Sequence, residues 1–129
     1  MTPATIVYVD DDPDDRAFLK EAFDKQQNLS VLYFADGSSL LTYLNSIKED
    51  ALLPKLIITD INMPEMTGIE LLSILKSNAR LKQIKVIVFS TAKRDHYQKE
   101  CTRLGAAAFL QKPNSFSEMQ EMASYFMYQ

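Results

Sequence analysis

Three consecutive acids, Asp10, Asp11 and Asp12, follow directly on the apolar run 6–9. A fourth acid, Asp60, follows Leu56–Thr59, and Ser90 and Thr91 follow Val86–Phe89. Lys112 stands just past the run 107–110. Carboxylates gathered in one place repel one another, so their pKa values rise unless a cation joins them. An all-oxygen donor set favours Mg²⁺, which keeps several waters and takes one or two carboxylates together with phosphate. Neither the single histidine, His96, nor the single cysteine, Cys101, is placed to build a zinc site. A cation of this kind would leave Asp60 ionised, and carboxylates serve as covalent phosphoryl acceptors. Lys112 supplies a mobile point charge and Ser90 a hydrogen-bond donor for the added oxygens. The set points to phosphoryl transfer by positioning and charge neutralisation.

These residues converge only if the intervening chain delivers them to one edge. Ile6–Val9 reads as a buried strand ended by acids. Asp12 suits a helix N-cap, Pro13 the first helical position, and Asp14 and Asp15 the positive end of the helix dipole. That helix carries Leu19, Ala22 and Phe23 on one stripe, with Phe18 beside it. Val31–Phe34 is a second strand, Asp36-Gly37-Ser38 a turn and cap, and Leu40, Leu41, Leu44 and Ile47 recur at helical spacing. Leu56–Thr59 is apolar on both faces and therefore central. A helix over 69–75 carries Ile69, Leu72 and Leu75, and Val86–Phe89 is a fourth strand. Tyr97, Cys101 and Leu104 mark a weaker helix stopped by Gly105, and the run 107–110 is a fifth strand. Phe116, Met119, Ala123 and Phe126 share a face of the last helix, with Tyr125 and Tyr128 off that stripe and expected to be partly exposed. Five alternations of strand and helix imply a parallel sheet with helices on both faces and right-handed crossovers. Ligands of such sheets sit outside the carboxyl ends of the strands, where the acids, the hydroxyl and the ammonium group fall.

The chain has 129 residues, enough for one domain with a core of its own. Hydrophobic residues are 47% of it, which argues against disorder, and the net charge of −3 argues against a nucleic-acid backbone as partner. One cysteine allows no internal disulfide and suggests a reducing, cytoplasmic setting. No apolar stretch approaches the roughly 20 residues of a membrane span, so no membrane is expected as a partner. Met1–Thr5 shows no basic leader.

Taken together, Val9-Asp10-Asp11 with Arg16, Asp60-Ile61-Asn62-Met63-Pro64 with Gly68, Ser90-Thr91-Ala92, and Lys112-Pro113 resemble the receiver domain of two-component response regulators over nearly the whole chain. The resemblance implies a flavodoxin-like (βα)5 doubly wound parallel sheet with strand order 2-1-3-4-5. One receiver domain over residues 1–129, without an output domain, is expected. It implies that Asp60 accepts the phosphoryl group, and that Asp11, Asp60 and the backbone carbonyl of Asn62 ligate Mg²⁺, with Asp10 helping through water. Lys112 would pair with phosphoryl oxygens, Ser90 would be the switch hydroxyl (Thr91 the less favoured substitute), and Phe109 the switch aromatic. Asn62 and Ala92 fall where the family tunes phosphoryl lifetime, and the family often has a cis peptide at the position of Lys112-Pro113. The implied donor is a sensor histidine kinase. A histidine phosphotransfer protein or a target protein would receive the signal from a monomer or weak dimer. The chain would not be an enzyme beyond its own Mg²⁺-dependent phosphorylation and dephosphorylation. Asn114, where many members have Phe, together with Asp12-Pro13-Asp14-Asp15-Arg16, resembles small single-domain receivers, some of which partner phytochrome-like kinases.

Other readings compete. A dehalogenase-type hydrolase would carry its nucleophile on the first strand and need a cap. A flavin module would need a Ser/Thr/Gly-rich loop where the acids stand. A degenerate receiver would lack site residues that are all present here. Individually, Asp12, Asp14 and Asp15 read as capping charges, His96 as a surface residue, and Cys101 as a small buried hydrophobe.

Overall fold

Val, Ile, Leu and Phe dominate the strand sequences, and burial decides which of the strands are central. In the computed structural model, which describes residues 6–26, 30–91 and 95–129, the side chains of residues 95 and 96 are outside the description. Met1–Thr5, Ala92 and the His96 side chain, all singled out above, therefore lie outside the described residues. The strands are β1 (Ile6–Val9), β2 (Val31–Phe34), β3 (Leu56–Asp60), β4 (Lys85–Ser90) and β5 (Ala108–Gln111). They form one parallel sheet in the order β2-β1-β3-β4-β5. Every residue of β1 and β3 is buried, whereas the edge strands β2 and β5 are only half-buried. That is the pattern expected when helices cover both faces of the middle strands.

The helices are α1 (Pro13–Phe23), α2 (Gly37–Ser46), α3 (Gly68–Ser77), α4 (Asp95–Leu104) and α5 (Phe116–Met127). Strand alternation splits the core in two. Val7, Val9, Ile57, Val86 and Val88 face Leu40 and Leu44 of α2, Leu71, Leu72 and Leu75 of α3, and Cys101 of α4. Ile6, Tyr8, Leu56, Ile58, Ile87 and Phe89 face Leu19, Ala22 and Phe23 of α1 and Met119, Ala123 and Phe126 of α5. The expected stripes of α1, α4 and α5 are these faces, and Tyr125 and Tyr128 are 42% and 76% exposed. In α3 the inward face gains Leu71, while Ile74 points outward.

Local chemistry fixes the ends of the helices. Asp12 caps α1 by accepting from the Asp14 and Asp15 N–H groups at 2.8 and 3.4 Å, with Pro13 opening the helix. Asp36 caps α2 through the Ser39 N–H at 2.7 Å, which holds its carboxyl below the ordinary range. Thr67 and Glu70 form a capping box at α3, so that helix starts earlier than the apolar pattern alone predicts. Two short 3-10 turns, Asp50–Leu52 and Leu81–Gln83, also escape the pattern, being only three residues each. Arg80 ties both regions together, donating to Asp50 Oδ1 at 2.5 Å and to the Leu44 and Ile47 carbonyls at the end of α2. The Lys112–Pro113 peptide is trans, unlike the cis form frequent in the family the sequence resembles. For a bond preceding proline the two forms differ by only about 0.5–1 kcal/mol, so sequence alone does not choose between them.

Helix α4 ends at Gly105, whose φ is +105°. The Gly105 N–H donates to the Thr102 carbonyl and the Ala106 N–H to that of Cys101, the paired bonds of a Schellman ending. A Cβ at this position would meet nothing closer than Lys76 Cγ at 3.5 Å. The cost of Gly105→Ala is therefore backbone strain, on the order of 1–2 kcal/mol. A urea titration should show the midpoint lowered with an unchanged slope.

Candidate functional site

The carboxyl ends of β1, β3 and β5 present their acids and their lysine on one side of the sheet. Tyr8, Ile58 and Leu110 belong to the core under α1 and α5. Two residues further along each chain come Asp10, Asp60 and Lys112. Lys112 is the centre of the group. Its Nζ lies 2.7 Å from Asp10 Oδ2, 2.8 Å from Asp15 Oδ2 and 3.1 Å from Asp60 Oδ1. Asp10 is fully buried, and Asp60 and Lys112 are nearly so.

Asp10 is held from every direction. Its Oδ2 accepts from the Tyr8 hydroxyl at 2.5 Å as well as from Lys112, and its Oδ1 accepts from the Asp12 N–H at 3.0 Å. The Arg16 guanidinium donates to the Asp10 backbone carbonyl at 2.7 Å. Asp11 is exposed beside this buried pair. Asp10, Asp11 and Asp60 each offer a carboxylate oxygen, and these atoms lie within 4.8 Å of one another. Asn62 is exposed in the loop that follows Asp60.

That loop is set by backbone fit. The Ile61 N–H donates to the Phe89 carbonyl, and the Gly68 N–H donates to the Ile61 carbonyl at 2.9 Å. A Cβ on residue 68 would lie 2.2 Å from the Asp60 carbonyl oxygen and 2.9 Å from Ile61 Cα. Only glycine lets the start of α3 press this closely beneath Asp60. Between them Glu65 adopts φ +68°, an uncommon conformation for a residue with a side chain.

On β4, Ser90 is buried within the strand rather than following it, and Thr91 beyond it is exposed. Ser90 pairs with Gln111, and its carbonyl accepts from the Lys112 N–H at 2.6 Å. Phe109 is half-buried beside the cluster that contains Cys101, Leu104 and Ala106. Ser90 and Phe109 thus lie on the α3–α4 side of the sheet, opposite to Asp60 and Lys112. Cys101 is buried and its thiol is pushed up to about 11 by burial and the charge of Glu100, which leaves it unreactive.

Two residues of the site do not stand out in the sequence pattern. Asp15 reads as a helix-start charge, yet its carboxylate also holds Lys112. Tyr8 reads as strand filler, although a phenol two residues before Asp10 must share its face, and a buried phenol needs a partner for its hydroxyl. That alternation was the available signal.

The electrostatics are unbalanced. Lys112 is one positive charge among the carboxylates of Asp10, Asp11, Asp15 and Asp60. Burial pulls the Lys112 pKa down, but hydrogen bonds to Asp10 and Asp15 and the charges of Asp10 and Asp60 outweigh it and hold the ammonium above its ordinary range. Burial, aided by the charge of Asp10, pushes Asp60 up to about 6 against the pull of Lys112 and the Ile61 N–H. The donor set is all oxygen, part buried and part exposed, with excess negative charge. Those properties suit a hard divalent cation that retains water.

The comparisons agree with this geometry. The family model for the response regulator receiver domain matches residues 6–124. The two-component response regulator ORR5 of Oryza sativa subsp. japonica is 34% identical over 119 residues, covering 92% of this chain and 85% of the relative. The phosphorylated cyanobacterial phytochrome response regulator RcpA superposes with a TM-score of 0.84 at 26% identity, covering 97% of this chain and 91% of its own. The Mn²⁺-bound form of response regulator Rcp1 gives 0.83 at 25% identity, covering 96% and 94%. The chain belongs to the receiver-domain family of two-component response regulators. Its members are phospho-acceptor signalling domains with the flavodoxin-like fold observed here, and they bind divalent metal at an acidic cluster. Among the described residues, no helix is long and apolar enough to cross a membrane.

Because the folded pKa of Asp60 is raised, the folded state binds a proton there more tightly than the unfolded chain does. Ionised Asp60 thus opposes folding above about pH 6, and that penalty is relieved as pH falls from about 6 to about 4. Asp60→Asn should stabilise metal-free protein at pH 7 against urea by on the order of 1–3 kcal/mol, with the difference shrinking towards pH 4. Gly68→Ala should destabilise by about 1–3 kcal/mol through overpacking. Its displacement of Asp60 should also show as altered amide chemical shifts at Asp60 and Ile61.

Proposed function

We propose that this chain is a phosphorylation switch that takes a phosphoryl group from a sensor histidine kinase onto Asp60. The observation that carries the reading is the approach of Lys112 Nζ to Asp60 Oδ1 at 3.1 Å, beside the oxygens of Asp10 and Asp11. A carboxylate oxygen of Asp60 attacks the phosphorus of a phosphohistidine. The new P–O bond forms as the P–N bond breaks, and the leaving imidazole nitrogen keeps the electron pair and later takes a proton. Asp11, Asp60 and the Asn62 carbonyl would hold Mg²⁺, with Asp10 acting through water. Bound there, the ion would neutralise both the acid cluster and the incoming oxygens. Lys112 pairs with the phosphoryl oxygens as they arrive. Mn²⁺ in the Rcp1 structure supports a divalent ion in this class of site.

The added charge then biases an existing two-state equilibrium. Ser90 donates its hydroxyl to a phosphoryl oxygen, and the space it leaves lets Phe109 turn inward. That reshapes the face formed by α4, β5 and α5, the last of which carries the exposed Tyr125. Converting a mostly inactive population to a mostly active one takes about 5.5 kcal/mol. Two to three charge-assisted hydrogen bonds of about 1.5–3 kcal/mol each supply it. The signal leaves by contact, either to a histidine phosphotransfer protein or to a target protein, from a monomeric or weakly dimeric chain in the cytoplasm. Phytochrome response regulators among the similar structures favour a phytochrome-like kinase as donor.

Incubation with acetyl phosphate and Mg²⁺ should add the mass of one phosphoryl group, and EDTA should prevent it. Asp60→Ala should carry no adduct, and an adduct persisting in that variant would rule out Asp60 as acceptor. Lys112→Met should slow adduct formation by on the order of 10²-fold or more, the scale on which losing one preorganised electrostatic partner is felt.

A further inference from the structure

We infer that Tyr8 is a positioning residue for the metal site, because its hydroxyl, rising from the core on the same face of β1, fixes Asp10 Oδ2 against Lys112. The ring cannot drift. Tyr8 is 1% exposed, and its ring stands edge-on to Tyr33 and to Phe89 with centroids 6.3 Å away in each case. Its hydroxyl donates to Asp10 Oδ2 at 2.5 Å. Lys112 Nζ reaches the same oxygen at 2.7 Å, so both acceptor directions of Oδ2 are occupied. Oδ1 takes the Asp12 N–H at 3.0 Å and keeps one acceptor direction. Asp10 therefore has a single lone pair to offer, at a defined place, which suits the water-mediated role in which Asp11 and Asp60 would hold the ion directly.

The arrangement has a second consequence. Lys112 divides its ammonium protons among Asp10, Asp15 and Asp60. When phosphoryl oxygens draw Lys112 towards Asp60, Asp10 Oδ2 would lose a donor in a place sealed from water. Tyr8 still donates there, so Asp10 stays satisfied and oriented while Lys112 shifts. An aliphatic residue in this strand position would leave Lys112 as the only donor to that oxygen.

This inference rests on the metal reading above, and the test separates the two. Mg²⁺ is titrated calorimetrically into the full chain and its variants. Tyr8→Phe keeps the ring and removes the hydroxyl, and Tyr33→Phe removes a hydroxyl from the neighbouring strand as a control. Loss of a group that orients a metal partner typically costs 10–100-fold in affinity. Tyr8→Phe should thus raise the Mg²⁺ dissociation constant about tenfold or more, Tyr33→Phe should leave it unchanged, and the Tyr8→Phe penalty should vanish in an Asp10→Asn background. A dissociation constant within twofold of the unaltered protein, or a penalty that persists with Asp10→Asn, overturns the role of Tyr8. No Mg²⁺ binding by the unaltered protein overturns the metal site itself. Should Tyr8→Phe fail to fold, the unaltered protein still decides: a slowly exchanging Tyr8 hydroxyl proton that moves on Mg²⁺ addition is expected, and a hydroxyl in free exchange with water overturns the inference.

Discussion

A lysine ammonium buried among carboxylates is tolerable only when its partners are placed to within a few tenths of an ångström. Lys112 meets that condition with Asp10, Asp15 and Asp60 at 2.7, 2.8 and 3.1 Å. Removing the lysine from such a group leaves buried carboxylates uncompensated, which costs several kcal/mol. The constraint reaches far down the chain. Asp10, Asp60 and Lys112 come from three strands, and each must end with the correct face towards α1 and α5. A slip of one residue in any of them would turn its charged group to the opposite side of the sheet. The close packing of β1 and β3 on both faces prevents that slip, because it would exchange the side chains of the two cores and mispack both.

The same group is deliberately short of positive charge. Burial raises the pKa of Asp60 despite the adjacent ammonium, which means that Lys112 alone does not offset the repulsion from Asp10 and the loss of solvent. A site with this imbalance favours whatever brings further positive charge, and it can then accept more negative charge on Asp60. Stability and receptivity are opposed here, as they often are where function lives. Gly68 and Glu65 belong to the same opposition: a missing side chain and an uncommon backbone angle hold the loop beneath Asp60.

Much of this was legible in the sequence because each strand is short, apolar and ended by its functional residue. Ile6–Val9 followed by acids, and Leu56–Thr59 followed by Asp60, identify both the strand and its terminus at once. The helix stripes of α1 and α5 were equally plain, since Leu19, Ala22 and Phe23, and Met119, Ala123 and Phe126, repeat at helical spacing. Ends governed by hydrogen bonds were less so: the capping box at Thr67 extends α3 without any apolar signal, and Ser90 joins β4 through pairing with Gln111. Asp15 was obscured by a correct but incomplete reading. It does sit at the start of α1, and only the packing of that helix against the sheet brings it to Lys112. Tyr8 was obscured because its ring explains its burial by itself, while the hydroxyl carries the contact that matters.

The sheet also separates charge from packing. Asp10, Asp60 and Lys112 lie towards α1 and α5, whereas Ser90 and Phe109 lie towards α3 and α4. A switch that reads charge on one side and alters packing on the other needs a link across the strands. The Lys112 N–H to Ser90 carbonyl bond, 2.6 Å long, joins the two at the backbone. Two positions further back, Phe109 is paired with Val88 in the same ladder. Under the proposed switch, pulling the Lys112 side chain towards new oxygens acts on the strand pair that carries both Ser90 and Phe109. Because β5 is an edge strand and only half-buried, it can respond at lower cost than β1 or β3. The rigid middle of the sheet thus holds Asp60, and under the proposed switch its yielding edge is where a phosphoryl group would be felt.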